Sequence, residues 1–457
     1  MKLYNSMTGV VEPFVPLVEG KASIYTCGPT VYFYAHIGNL RTYVSEDLLV
    51  RALDYLGYEV TRSMNITDVG HMVGDADEGE DKMLQGAKRE KKTVWDIAEY
   101  YTKVFFEDME ELNLKRPEFI SKATDHIGDY IHFIEVLEEK GHTYRAGGNV
   151  YFDVSTFPDY NKLSKMPLEN LMHAHRGDVS LDQNKKSPLD FVLWFTKSKF
   201  EDQEMKWDSP YGRGYPGWHL ECSVISLKTL GEQMDIHCGG VDHIPTHHTN
   251  EIAQTESYTG KPWVKYWWHA EFLIDKAGKM SKSRGDFLDL RYLKEQGYSP
   301  MHYKYFLMGS HYRRQLVFTM EGLHNAREAY QKLKKRTLAL ESPIETEAYL
   351  DEFKETIGND LDTANVLTLI YEVLKDQSLS SGEKCYIIQE IDSVLQLDLF
   401  KEEQVEVDVD VILSLIEKRT QAKEDKNYSL ADQIRQELQD MGITLMDGKE
   451  GTTWKKS

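Results

Sequence analysis

Residues 279–283 read Lys-Met-Ser-Lys-Ser, two lysines and two serines with no acid, soon after the alternating run at 267–275. Two mobile ammonium groups in a small turn suit the task of holding a polyphosphate while charge builds on departing pyrophosphate, the moment at which fixed cations help most. Lys279 and Lys282 are the candidate cations. A second candidate stands much earlier, in His36-Ile37-Gly38-Asn39, where a strand-like run gives way to a helical one. A helix N-terminus there offers free N–H groups and a positive dipole end, so it favours phosphate, and His36 can donate to a phosphate oxygen. Either string alone reads equally as a solvated turn or a structural histidine; the two in one chain point to nucleotide chemistry.

Four further residues have the chemistry of a metal set: Cys27, Cys222, His247 and Glu251. His247 and Glu251 are four apart, hence on one face of a helix. Two thiolates, an imidazole and a carboxylate make a credible zinc site. Spacing leaves rivals open, because His243 and His247 are also four apart, His237 and His248 lie close by, and Cys238 is another thiol in reach of the same loop.

These groups need elements to hold them. Residues 22–32, rich in β-branched and aromatic side chains, predict a buried strand. From Leu40 the apolar positions Val44, Leu48, Leu49, Ala52, Leu53 and Leu56 recur at helical spacing, and Gly57 marks the end. A second strand is predicted at 58–67, and the strand–helix–strand unit favours a parallel sheet covered by helices. Helical patterning follows over 93–141, while the stretch 115–205 breaks into short strands and turns and reads as an insertion. Residues 234–240 return to strand then glycine, and Pro245 can open a helix running to Tyr258. From 290 onward helical periodicity dominates, 401–411 reads as an acidic linker, and in the last unit Ser429 is placed to cap a helix carrying Leu430, Ile434 and Leu438 on one face.

At 457 residues the chain is long enough for about three domains, each burying its own core. Its four cysteines, Cys27, Cys222, Cys238 and Cys385, are not spaced as a disulfide framework, which with the lack of a basic-then-apolar leader implies the reducing cytoplasm. No run approaches the ~20 apolar residues of a membrane span. A net charge of −21 argues against sequence-blind binding to a nucleic-acid backbone, so such a partner must be met locally. The local candidates are 88–92 (Lys-Arg-Glu-Lys-Lys), 332–336 (Lys-Leu-Lys-Lys-Arg), and Arg419, Lys423, Lys426 and Arg435.

The phosphate-binding strings, in this order with Gly239-Gly240-Val241-Asp242 between them, resemble the signature of class I aminoacyl-tRNA synthetases. The fuller set YTCGPTVYFYAHIGN, NITDV, DFVLW, GWHLECS, DIHCGG, HHTNE, KMSKS and KNYSLADQIRQEL…GTTW resembles the cysteinyl-tRNA synthetase family from residue 25 to 454. That resemblance implies ATP-dependent ligation of L-cysteine to tRNA(Cys) through a cysteinyl-adenylate, with one Zn²⁺ per chain and MgATP as substrate. It assigns Cys27, Cys222, His247 and Glu251 to the zinc, which sets aside His243, His248 and Cys238. Gly28, Thr67 and Trp218 fall in the amino-acid pocket, and His36, Gly38, Asn39, Gly240, Asp242 and Lys282 around ATP. His36, Asn39, Lys279 and Lys282 would assist the chemistry. The implied fold is α/β, a Rossmann-like parallel-sheet catalytic domain (1–115 and 206–270) with an inserted subdomain (116–205). A connecting fold bearing the lysine loop (271–320), a helical tRNA-binding bundle (321–400) and a small anticodon-recognising unit (412–457) complete a cytoplasmic monomer with no membrane partner.

Two other readings keep parts of this pattern. A ligase joining cysteine to a small amine would not need the C-terminal region, and a catalytically silent RNA-binding paralogue would not need the ligands and lysines together. The chain also departs from the family pattern: HIGN replaces the commoner HIGH, the loop GGVDHIPTHHTNE differs from GGSDLMFPHHENE at several non-ligand positions, and the acidic stretch after NITDV is longer than usual.

Overall fold

The computed structural model describes residues 1–69, 82–174, 182–197, 205–275, 278–279, 288–402, 409–440, 443–448 and 451–456. Two compact units emerge, Met1–Phe400 and Lys401–Ser457.

The first unit is built on a five-stranded parallel sheet. Its strands in chain order are β1 (Lys21–Thr26), β2 (Glu59–Ile66), β3 (Phe119–Lys122), β4 (Met234–Gly240) and β5 (Val264–Ala270). In space they run β5-β4-β1-β2-β3, with Ile24 opposite Ile236 on one side and Arg62 on the other. The order reverses between β1 and β4, and in an open α/β sheet ligands bind outside the carboxyl ends of the strands at that switch point. Cys27-Gly28 and Gly239-Gly240 are the residues that the sheet delivers there.

Helix α1 (Ile37–Tyr55) connects β1 to β2. It is buried nearly all round, which explains why Glu46 and Asp47 are themselves inside. Glu46 faces Arg62 of β2 at 3.1 Å; burial nevertheless pushes its carboxyl up to about 8, against the pull of the guanidinium. Helices α2 (Lys82–Glu90) and α3 (Val94–Glu111) follow, the latter opened by a reciprocal cap between Thr93 and Asp96. The helical patterning read over 93–141 is thus interrupted. Phe119–Lys122 extends the central sheet by pairing with Ser63–Ile66, so this strand belongs to the sheet although it falls in the segment assigned to the insertion.

The insertion packs α4 (Ile127–Glu139) against a four-stranded antiparallel sheet formed by Thr143–Ala146, Asn149–Phe152, Phe191–Phe195 and Tyr215–Pro216. Tyr130, Phe133, Phe152, Phe191 and Trp194 form its core together with Leu220, Val224 and Ala253 from the helices that follow. Two helices then return to the central sheet, α5 (Trp218–Leu230) and α6 (His247–Thr259). The latter starts after Thr246 rather than at Pro245.

Beyond the sheet a small three-stranded ladder joins Leu273–Asp275 to Gly278–Lys279 and Leu316–Val317. Helices between Leu290 and Leu395 share the main core. Among them α7 (Met320–Leu338) carries the basic run 332–336, and here the structure corrects the reading of a basic face: Lys334 is buried, whereas Lys332, Lys335 and Arg336 are exposed and line an open groove with Asn325, Glu328 and Tyr371.

In the second unit, helices Val409–Glu424 and Tyr428–Asp440 precede a hairpin, Ile443–Gly448 with Gly451–Lys456. Ser429 lies inside the second helix and does not cap it. Asn427 does so, accepting the Leu430 N–H at 3.3 Å. The helix starts two residues earlier than a Ser429 cap requires, and its buried stripe is Ala431, Ile434 and Leu438, with Leu430 exposed. Arg419, read as part of a basic face, is buried as well. Among the described residues no helix is long and apolar enough to cross a membrane.

Candidate functional site

A cleft of about 250 Å³ opens at the switch point. Its walls include Cys27, Gly28, Asn39, Asn65, Thr67, Trp218, Cys222, Gly240, Asp242 and His247, so most residues singled out from the sequence meet there.

Cys27, Cys222, His247 and Glu251 offer donor atoms that all lie within 4.8 Å of one another, each residue buried. The two sulfurs are 3.8 Å apart, far beyond a disulfide bond and equal to the separation of about 3.8 Å that two thiolates at ~2.3 Å from one tetrahedral ion require. Glu251 Oε1 is 2.7 Å from His247 Nε2 and Oε2 is 2.8 Å from His237 Nε2, yet neither carboxylate oxygen makes a well-directed hydrogen bond. Buried oxygens crowded by nitrogens but not bonded to them suit a shared cation. Burial raises Glu251, but His247 and His237 outweigh it and hold the carboxyl below its ordinary range. Burial lowers His247, and Glu251 and Cys222 overcome it to bring the imidazole to about 10. For the thiols, burial pushes Cys27 well up, whereas Cys222 drops to about 7 because Cys27 and His247 outweigh its own burial. Without a metal, then, Glu251 is held as a carboxylate while Cys27 and His247 keep their protons, so a metal that binds here must displace protons from the thiol and the imidazole.

Two overlapping groupings exist, Cys27 with His243, His247 and His248, and His237 with His248 and Glu251. His248 Nδ1 is 2.8 Å from His269, which in turn contacts Ser6, while its Nε2 lies 3.4 Å from Cys27 Sγ, so His248 stays beside the set. Cys238 is excluded by the strand's alternation: His237 faces Tyr25 and Trp267, so Cys238 points to the opposite face and packs in the main core.

The cleft walls are equally specified. Gly28 N–H donates to Asn65 Oδ1 at 2.7 Å, Asn65 Nδ2 donates to Thr67 Oγ1 at 3.0 Å, and Thr67 donates to Glu221 at 2.5 Å. A Cβ on Gly28 would stand 1.6 Å from the Asn65 carbonyl oxygen, so only glycine allows β1 and β2 to end this close. Trp218 stacks on the His247 ring at 3.9 Å and 11°. Asn65, Glu221 and His219, which contacts His247 through Nδ1 at 2.9 Å, are additions to the sequence reading. All three sit inside quoted strings, and only their burial singles them out.

At the phosphate end, His36 caps α1, with Nδ1 accepting the Gly38 N–H at 3.0 Å. In the neutral ring the proton then resides on Nε2, the donor a phosphate oxygen would use. Asn39 lies exposed in the first turn and on the cleft wall. Arg41 ties α1 to the segment leading to the lysine turn by donating to the carbonyls of Phe272, His311 and Arg314. The backbone of Lys279 pairs with Ile274; Lys282 lies outside the described residues.

A parallel sheet with its switch point at a cleft of this make-up defines a class I tRNA synthetase, and the family model described as tRNA synthetases class I (C) catalytic domain matches residues 13–328. The fold is also that of a Mycobacterium tuberculosis methionyl-tRNA synthetase bound by methionyl-adenylate, with a TM-score of 0.56 and 14% identity over 84% of this chain and 92% of that one. The cysteine--tRNA ligase of Treponema denticola is 48% identical, covering 100% of this chain and 99% of that protein. Those of Borrelia hermsii and Treponema pallidum are 42% and 38% identical over the same shares. The chain belongs to the cysteine--tRNA ligase family.

Proposed function

We propose that the chain joins L-cysteine to tRNA(Cys) at the expense of ATP, and that Cys27, Cys222, His247 and Glu251 hold one zinc ion that selects the substrate. The observation that carries the zinc reading is the pair of sulfurs 3.8 Å apart beside a carboxylate with no directed hydrogen bond. When bound, the ion supplies a soft, open coordination position that takes a thiolate and not the harder hydroxyl of serine. A site matched to a specific substrate atom can reject the wrong one by on the order of 10⁴ to 10⁵ without editing.

The chain's own residues do the rest. Gly28, Thr67 and Trp218 shape the pocket for a small amino acid. The start of α1, with His36, Gly38 and Asn39, together with Gly240, Asp242, Lys279 and Lys282, receives MgATP. The cysteine carboxylate then attacks the α-phosphorus, pyrophosphate leaves, and cysteinyl-adenylate remains. His36 donates to a phosphate oxygen and the two lysines offset the charge that builds on pyrophosphate. The terminal ribose hydroxyl of the tRNA next attacks the activated carbonyl and AMP leaves. Orientation and fixed charge supply the rate, since no covalent enzyme intermediate is required. In this reading the helices after 320 and the unit at 412–457 meet the tRNA, and the chain acts as a cytoplasmic monomer.

The test is ATP-dependent transfer of labelled cysteine to total tRNA, with serine in parallel and zinc content measured on the same protein. Charging with cysteine alone and one zinc per chain is expected. Cysteine-dependent pyrophosphate exchange without tRNA charging would overturn the acceptor, and full selectivity in zinc-free protein would overturn the role of the metal.

A further inference from the structure

The basic run at 88–92 has no part in the chemistry above, yet it lies beside the cleft. Arg89, near the end of α2, donates to the Tyr32 carbonyl at 3.0 Å and its guanidinium sits 4.1 Å over the Phe33 ring. Lys92 lies 4.8 Å over Tyr100 of α3. The Tyr100 and Tyr34 hydroxyls are 3.1 Å apart, Tyr34 meets Tyr101 edge-on at 4.9 Å, and Arg291 rests on Tyr34. Tyr32, Phe33, Tyr34 and Tyr101 are themselves cleft walls, so this cluster is the outer lip of the cleft. It is rigidly mounted: a Cβ on Gly86 of α2 would stand 2.9 Å from the Tyr32 carbonyl oxygen, so helix and lip are in direct backbone contact.

The patch remains open outward. Tyr100 is 40% and Trp95 49% exposed, and Lys88, Lys91 and Lys92 are exposed too. Among the described residues Glu90 is engaged with Arg89, Lys92 and Tyr101, Asp96 in the cap of α3, and Asp289 with Arg291, while Glu99, next to Tyr100 in α3, is exposed. In a chain of net charge −21, four cations in five residues beside a cluster of edge-to-face tyrosines make a local exception. Cations that follow a phosphate backbone, interleaved with aromatic faces on which bases stack, are the design of a single-stranded nucleic-acid track. Double-helical RNA offers few base faces, so the aromatic share favours an unpaired end.

We propose that Lys91, Lys92 and Tyr100 form a landing strip for the unpaired 3′ end of the tRNA as it enters the cleft. This rests on the proposed aminoacylation and names where the acceptor strand lies. None of the three residues belongs to the amino-acid or ATP sites.

The experiment uses the full-length, zinc-loaded chain, with Tyr100→Ala, Tyr100→Phe and a double Lys91→Ser/Lys92→Ser variant. Two readouts are compared: cysteine-dependent pyrophosphate exchange, and binding of tRNA(Cys) intact or lacking its last three nucleotides. Exchange should stay within about twofold in every variant, since no tRNA takes part in it. Tyr100→Ala and the double lysine variant should bind intact tRNA about five- to tenfold more weakly, as loss of one stacked base or two phosphate contacts predicts, and should lose little more on truncation; Tyr100→Phe, which keeps the ring face, should bind as the unaltered chain does. Unchanged binding in the first two variants would overturn the proposal. So would an equal loss for intact and truncated tRNA, which places the contact on the duplex, or a raised KM for ATP in exchange, which places it at the nucleotide. Absence of exchange in the unaltered chain would instead overturn the functional reading, and this inference with it.

Discussion

Gly28→Ala is the substitution that presses hardest on the cleft. An alanine methyl would be built 1.6 Å from the Asn65 carbonyl oxygen and 2.7 Å from its carbon, and both are backbone atoms. To regain ordinary contact near 3.4 Å the two chain segments must part by about 1.8 Å. That displacement also breaks the Gly28 N–H bond to Asn65 Oδ1, worth about 0.5–1.5 kcal/mol. Forcing a methyl into a close-packed site adds about 1–3 kcal/mol, so a loss of about 2–4 kcal/mol in unfolding free energy is expected, read from urea denaturation. Because Asn65 also orients Thr67 and lies 3.7 Å from Cys222, the KM for cysteine in pyrophosphate exchange should rise by at least tenfold while the KM for ATP moves less. Wild-type stability with a wild-type KM for cysteine would refute the claim that the ends of β1 and β2 are held at this spacing by glycine alone.

Cys222→Ser should cut bound zinc to well below one per chain, measured by atomic emission, and should weaken cysteine activation more than any change at Cys238, which packs on the far face of the sheet. Lys304, buried with its ammonium donating to the Leu112 and Gln396 carbonyls, is lowered by desolvation from 10.5 to about 8. Between those values the unfolded chain holds more protons than the folded one, so stability rises from about pH 8 to pH 10.5 and is flat in this term below and above; the gain, up to about 3 kcal/mol, should be absent from denaturation of Lys304→Met. Glutamate at Lys332, Lys335 and Arg336 together should raise the KM for tRNA at least tenfold in charging assays and leave pyrophosphate exchange unchanged, and equal KM values would remove α7 from the tRNA path.

The strands and helix that frame the cleft were readable because burial leaves a strong pattern: 37–55 and 59–66 fall within three residues of the periodicity, while the first strand starts within one residue but ends at Thr26, six residues before the reading of 22–32, because the chain turns at Cys27-Gly28 into the cleft. The ligand residues were readable by resemblance, whereas spacing left His243, His248 and Cys238 open, and of these three-dimensional packing turns only Cys238 away. Polar residues that act through neighbours were invisible for a different reason. Asn65 and Glu221 carry no periodic signal, and their roles depend on contacts with Gly28, Thr67 and Cys222 made across long stretches of chain. Ser429 turned on where the last helix begins, two residues before the reading placed it, whereas Leu430 and Lys334 turned on which helix face meets the core, where each residue step rotates a side chain by about 100°.

The strand order also has a consequence for synthesis. β1 is paired on one side with β4, whose residues emerge from the ribosome about 200 positions later, and at 5–20 residues per second that interval is on the order of 10–40 s. Throughout it the inner edge of β1 has no partner, and the core of the insertion is incomplete as well, since it includes Leu220 and Val224 of α5 and Ala253 of α6. The four side chains proposed to hold the metal are not all present until Glu251 has been made, so on that reading metal capture follows the pairing of β4 with β1. A shortage of metal would then leave the newborn chain with that pairing made but its four side chains unbridged.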